Sequence, residues 1–181
     1  RIQIVDSGDV NVWGFEFDAQ WAVTQNLMLN GAVGVTKDDV LDPVANSGPN
    51  LFPSQASPTW NVGATWTQPT ASSGSFTANV NYAYVGEQET HPTSGTDSAY
   101  LLPSYALLNA RVQWTSPSGR NLVTLFGENL TDEVYASYAT RFGGGFWDNG
   151  PGTGVGAPLR SALSAVRGRP LTWGITLQHN F

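Results

Sequence analysis

Alternation with a period of two runs through almost the whole chain, and its runs are too long for an ordinary sheet. From Asn11 onward, Trp13, Phe15, Phe17, Ala19, Trp21 and Val23 fall on one side, while Gly14, Glu16, Asp18, Gln20 and Ala22 fall on the other. Successive side chains of a strand point to opposite faces, so this pattern predicts a strand with one apolar and one polar side. Leu27, Leu29, Val33 and Val35 repeat it against Met28, Asn30, Gly34 and Thr36. Trp60, Val62, Ala64 and Trp66 make a third run, and Phe76, Ala78, Val80, Tyr82 and Tyr84 a fourth, against Thr77, Asn79 and Asn81. A fifth sets Ala106, Leu108, Ala110, Val112 and Trp114 against Asn109, Arg111 and Gln113. Asn121 to Leu130 is a weaker sixth, and Leu171, Trp173, Ile175, Leu177, His179 and Phe181 form the seventh. Arg1 to Val5 reads as the tail of a further strand. Helical periodicity is hard to find anywhere.

The connectors alternate in length. Thr24 to Asn26, Pro69 to Gly74 and Ser116 to Arg120 are short and carry turn-forming residues. Asp38 to Pro58, Glu87 to Pro103 and Asp132 to about Val166 are long and rich in Gly, Pro, Ser, Asn and Asp. In an up-and-down antiparallel sheet, strict alternation puts every short turn at one edge and every long loop at the other. Long loops in a compact domain usually carry function.

A soluble β-sandwich and a membrane barrel both alternate in this way. Three features favour the barrel. The runs last about 11 to 15 residues, against about 5 to 6 for a typical strand, while a tilted membrane strand needs about 9 to 11. Trp13 and Trp21 lie eight positions apart on one side, roughly 26 Å along the strand and about 20 Å of depth once it is tilted. Such a spacing suits amphipathic rings at two membrane interfaces; Trp60 and Trp114 lie near strand ends as well, and Trp66 and Trp173 a few residues further in. The third feature is the opposite side, which is Asn, Thr, Gln and Gly with sparse charge. Lys37 is the only lysine in the chain. A water-filled lumen suits that composition better than a solvated soluble face.

Composition narrows the functions. Charged residues are 12% of the chain and the net charge is −6, which argues against nucleic acid as a partner. Cys is absent, so there is no disulfide framework. No run approaches the length of a transmembrane helix. The first residue is Arg1, which reads as a removed signal or the interior of a longer chain. No catalytic or metal cluster is evident: His91 and His179 stand apart, and neither a metal nor another cofactor is expected. Asp38, Asp39 and Asp42 read either as a Ca²⁺ loop or as a solvated acidic loop base. Asn129-Leu130-Thr131 fits a glycosylation sequon, a poor match to a bacterial barrel. Gly152 to Gly156 resembles a phosphate loop only superficially, since no strand leads in and no helix follows.

Three stretches resemble the C-terminal half of TonB-dependent outer-membrane receptors. "DVNVWGFEFDAQW" resembles their Gly-x-Glu strand. "LFGENLTDEVY" resembles their near-terminal strand with its Asn-Leu-Thr-Asp turn, Asn129 to Asp132. "GRPLTWGITLQHNF" resembles the last strand, which ends on an aromatic residue. The resemblance implies an all-β, antiparallel, up-and-down transmembrane barrel of about 22 strands. Residues 1–181 would supply its C-terminal seven or eight strands, and the N-terminal plug and earlier strands would lie outside the chain.

The resemblance further implies no enzymatic activity. It implies TonB-dependent uptake of a scarce ligand across the outer membrane of a Gram-negative bacterium. That ligand would be a ferric siderophore, a cobalamin-like molecule or a carbohydrate. The implied partners are outer-membrane lipid and lipopolysaccharide, the TonB complex acting through the plug, and the barrel-assembly machinery. That machinery would read the last strand, with Trp173, Ile175, Leu177 and Phe181 as its signal. Arg141, Phe142, Phe146, Trp147 and Arg160, in the longest connector, are the candidate ligand contacts, by charge and by ring stacking. Packing of that loop on itself remains an alternative reading of the same residues. A self-contained eight-stranded barrel and a secreted β-sandwich binding module are the other two architectures the sequence allows.

Overall fold

A computed structural model describes residues 10–40, 55–89, 101–142 and 162–181. Seven long strands form one antiparallel sheet. They are β1 (Val10–Ala22), β2 (Leu27–Val40), β3 (Thr59–Thr70), β4 (Gly74–Val85), β7 (Tyr105–Thr115), β8 (Asn121–Glu128) and β11 (Thr172–His179). Their order in the sheet is β1-β2-β3-β4-β7-β8-β11, an up-and-down meander. Two short hairpins interrupt it. β5 (Gln88–Glu89) pairs with β6 (Leu101–Leu102), and β9 (Ala136–Phe142) pairs with β10 (Ala162–Arg167). There is no helix among the described residues.

The register carries one face through all seven strands. Phe17 pairs with Val33, Val33 with Trp60, Trp60 with Tyr84 and Tyr84 with Ala106. Nearer the short turns, Trp66 pairs with Ala78, Ala78 with Val112, Val112 with Leu125 and Leu125 with Ile175. The other face is polar in the same rows: Gln20, Asn30, Gly63, Asn81 and Asn109 are successive partners. A slip of one residue at any strand would turn its apolar set onto the polar face, so the long alternating runs fix the pairing.

The sheet has one layer and no core. Among the described residues the only buried apolar side chains are Leu102 and Ala139, and no large side chain is fully buried. The apolar face lies open instead: Phe15 is 59% exposed, Trp173 70% and Leu177 75%. A β-sandwich would bury that face against a second sheet, and among the described residues no second sheet covers it. The secreted-sandwich reading is therefore set aside. The sheet does not close on itself. Among the described strands β1 pairs only with β2, and β11 only with β8, so these strands do not form a self-contained eight-stranded barrel.

The structure departs from the sequence reading in all three long connectors, of which the one from Glu87 to Pro103 carries β5 and β6. β2 runs on to Val40, so Asp38 and Asp39 are consecutive strand residues and not the base of a loop. The side chain of Asp39 and the whole of Asp42 lie outside the described residues. The connector from Asp132 to Val166 is also not all loop, since both its flanks are strand. Arg1 to Val5, His91 and Gly152 to Gly156 lie outside the described residues.

Candidate functional site

The three short turns lie at one end of the sheet and the long connectors at the other. At the long-connector end a cavity of about 640 Å3 opens on the polar face. Its floor is the wall itself, where Glu16 of β1, Gly34 and Thr36 of β2, and Thr59 of β3 face inward. Gly34 keeps the floor low, since a Cβ there would sit 3.2 Å from Thr59 Oγ1. Gln55 enters from the segment before β3, which is tied down where the Thr36 N–H donates to Ser57 Oγ (3.0 Å). Gln88 and Glu89 of β5 and Ser137 and Tyr138 of β9 complete the lining. Its volume lies within the usual range of small-molecule sites, and its lining is more polar than is usual for them.

Beside this mouth, two of the sequence motifs interlock. The backbone of Asn129 takes a left-handed conformation (φ 51°), and its side chain is 2% exposed. Its Nδ2 donates to the carbonyls of Glu133 (2.9 Å) and Arg169 (3.0 Å), while its Oδ1 accepts from the Glu133 N–H (2.8 Å). Its own N–H donates to Asn109 Oδ1 on β7 (2.9 Å). One residue, through its side-chain amide and its backbone N–H, thus joins β7, the turn after β8 and the segment entering β11. Asp132 Oδ1 accepts from the Leu171 N–H (3.2 Å), and Arg169 pairs with Glu128 across the exposed rim (3.1 Å). Tyr135 stacks on Tyr105 with ring centroids 4.2 Å apart, and its ring occupies the space a Cβ of Gly168 would need. The "NLTDEVY" and "GRP" motifs are two halves of one lock at the head of β8 and β11. Burial of Asn129 explains the motif without glycosylation.

The sequence candidates fare unevenly. Arg141 and Phe142 belong to β9, but their side chains lie outside what is described, as do Phe146, Trp147 and Arg160 altogether. Trp13, Trp21, Trp60, Trp114 and Trp173 do share the apolar face. Trp60 stacks on Tyr84 (5.5 Å) at the long-connector end, and Trp114 Nε1–H donates to Ser73 O (2.7 Å) at the other. Sequence reasoning missed Gln55, Gln88, Glu89 and Ser137 as cavity residues. They are ordinary polar residues in connectors, and only folding brings them together. Glu16 and Thr36 were visible as the polar side of their strands, with nothing to single them out.

A family described as TonB dependent receptor-like, beta-barrel matches residues 1–131. The chain belongs to the TonB-dependent receptor β-barrel family. It also superposes on the crystal structure of the ferric yersiniabactin uptake receptor FyuA from Yersinia pestis with a TM-score of 0.70 at 16% identity. The likeness covers 97% of this chain and 24% of FyuA, and at that identity it is a likeness of fold. The chain spans about a quarter of the FyuA chain's length. No curated protein matches it. The open seven-stranded sheet is thus part of a TonB-dependent receptor barrel, a wall of the Gram-negative outer membrane. Its family is one of receptors rather than enzymes.

Proposed function

We propose that the chain is the C-terminal wall of a receptor that takes up a scarce ligand with energy delivered through TonB. The observation that carries this reading is a one-layer wall with an exposed apolar face, a polar inner face and a polar cavity at the long-connector end. Backbone groups in lipid must be paired within the sheet, so such a wall belongs in a closed barrel made with further strands from the same protein. A plug in that lumen would couple the ligand to TonB. The long connectors face the cell exterior in this reading. The ligand is a ferric siderophore, a cobalamin-like molecule or a carbohydrate. It would meet the mouth cavity together with Arg141, Phe142, Phe146, Trp147 and Arg160.

The outer face carries the rest of the proposal. Trp13, Trp60 and Trp173 mark the outer interface, and Trp21 and Trp114 the inner one. The last strand, through Trp173, Ile175, Leu177 and Phe181, presents the aromatic edge that the assembly machinery reads. The test uses the full-length parent. Cells carrying it should accumulate ligand only while the inner membrane is energised, and the purified parent should retain the periplasmic domain of TonB. A parent that binds no TonB domain and passes solutes into de-energised cells is a passive pore, and the reading falls.

A further inference from the structure

We infer that the mouth cavity on the polar face binds a neutral carbohydrate, a short oligosaccharide held by its hydroxyl groups. The inference rests on the uptake reading above and narrows its ligand to one class. Its starting point is the lining. Small-molecule sites are mostly apolar with a few polar groups. In this one polar side chains dominate, with Glu16 and Thr36 on the wall, Gln55 before β3, Gln88 on β5 and Ser137 on β9.

Their hydrogen-bonding character selects the class. An amide or a hydroxyl both donates and accepts. Its natural partner is a group that does the same, and each hydroxyl of a sugar does. Glu16 and Glu89, as carboxylates, only accept, so the ligand must bring donors to them. The iron-bound oxygens of a ferric chelate have no proton to give, while a sugar donates from every free hydroxyl. Charge points the same way. Residues 38–58 and 87–103, the first two long connectors, hold Asp38, Asp39, Asp42, Glu87, Glu89 and Asp97 and neither Lys nor Arg. Glu16 and Asp18 face inward below them, so the approach on this side is negative and repels an anionic chelate. The third connector adds Arg141 and Arg160, whose guanidinium groups donate to hydroxyls as well. Tyr138, 42% exposed on the far side of the cavity, supplies an aromatic surface, and a pyranose ring has an apolar C–H face that packs on one. A corrin would need apolar contact over its whole ring, which this lining does not offer. The same dual chemistry continues down the wall. Gln20, Asn30, Asn81 and Asn109 lie in one cross-strand row below the cavity, and Asn79 donates to Thr65 Oγ1 (2.9 Å) in the next. A ligand that leaves the mouth therefore meets partners of the kind it left.

The experiment uses the full-length parent, purified in detergent, with affinity read by calorimetry. The probes are neutral malto-, cello-, xylo- and chito-oligosaccharides, a ferric triscatecholate, a ferric trishydroxamate and cyanocobalamin. At least one of the sugars should bind, and neither ferric chelate nor cyanocobalamin should compete with it. The same sugar carrying a uronate ring should bind about tenfold more weakly. Glu16→Gln, nearly isosteric, should cost about tenfold in affinity and Thr36→Val about threefold, since a bond to a charged acceptor is the stronger. Arg120→Gln, in a short turn at the opposite end, should leave affinity unchanged, and heat-modifiable migration checks that each variant folds. Binding of a chelate or of cyanocobalamin in place of every sugar overturns the inference. So does a panel in which nothing binds, or a sugar whose affinity ignores both Glu16→Gln and Thr36→Val. Retention of the periplasmic domain of TonB tests the uptake reading separately. A parent that retains that domain but prefers a ferric chelate keeps the uptake reading and loses the sugar. A parent that binds the sugar but retains no TonB domain does the reverse.

Discussion

Asn129 makes three side-chain hydrogen bonds from a left-handed backbone position, and both properties depend on its being asparagine. Removing the side chain takes that partner from the Glu133 and Arg169 carbonyls and from the Glu133 N–H, at about 1 kcal/mol for each lost bond. Alanine adds about 1 to 2 kcal/mol for its Cβ in the left-handed region. In the full-length parent, Asn129→Ala should therefore cost about 4 kcal/mol in urea unfolding from detergent, and Asn129→Gly about 1 to 2 kcal/mol less. Equal costs would mean that the backbone conformation is not what the residue supplies. Gly168 makes a second residue-scale test, because its missing Cβ is the space the Tyr135 ring fills. Gly168→Ala should cost about 2 kcal/mol by overpacking. In a Tyr135→Ala background the same change should cost less than about 0.5 kcal/mol, since the two residues share one space. Additive costs would place the ring elsewhere.

The strand is the scale at which facing is decided. Val112 lies mid-strand on β7, 45% exposed on the apolar face, with Ala78 and Leu125 as cross-strand partners. Gln113, one residue on, faces inward. It accepts from Arg111 Nη2 (2.9 Å) and donates to Thr115 Oγ1 (3.3 Å). Val112→Arg puts a charge into lipid near mid-bilayer and should destabilise the parent by about 2 to 4 kcal/mol, whereas Gln113→Arg should cost less than about 1 kcal/mol. Equal effects in a reversible folding assay would overturn the facing of β7 and, through its register, of the whole sheet. Alternation made this facing legible in the sequence, because a strand has only two sides. The β9–β10 hairpin was not legible. Ala136–Phe142 mixes small, aromatic and basic residues without a clean period, and its partner strand Ala162–Arg167 lies twenty residues downstream of its end. Neither half carries a pattern that names the other.

At the scale of the molecule, the unpaired sides of β1 and β11 decide behaviour. Each presents a row of backbone groups without a partner among the described strands, and such edges invite aggregation. The 181-residue chain refolded alone into detergent should therefore aggregate and show no heat-modifiable band in gel electrophoresis without boiling. The full-length parent should show one. A compact, monomeric, heat-modifiable species from the isolated chain would overturn the open wall and restore the self-contained barrel. The same test bears on the mouth cavity, whose floor comes from β1 to β3 and whose far side comes from β9. Its two sides stay in place only if the sheet keeps its curvature.

The sequence by itself determined the seven long strands, which face of each is apolar, and the end at which long connectors gather. All three follow from local chemistry: a side chain has two choices on a strand, and a turn is marked by the residues that tolerate it. The last-strand and Asn-Leu-Thr-Asp motifs were also readable as members of a family pattern, though their physical purpose was not. Only the tertiary structure decided that Asn129, Asn109 and Arg169 meet, that Tyr135 lies over Gly168, and that Gln55, Gln88 and Ser137 share a cavity with Glu16. Those meetings join residues 20 to more than 100 positions apart, and nothing in a local pattern encodes which distant polar residue will be the partner. Alternation alone did not separate a membrane wall from a sandwich, since both present it; strand length, the tryptophan spacing and the sparsely charged opposite side favoured the wall in the sequence, and the uncovered apolar face agrees with it.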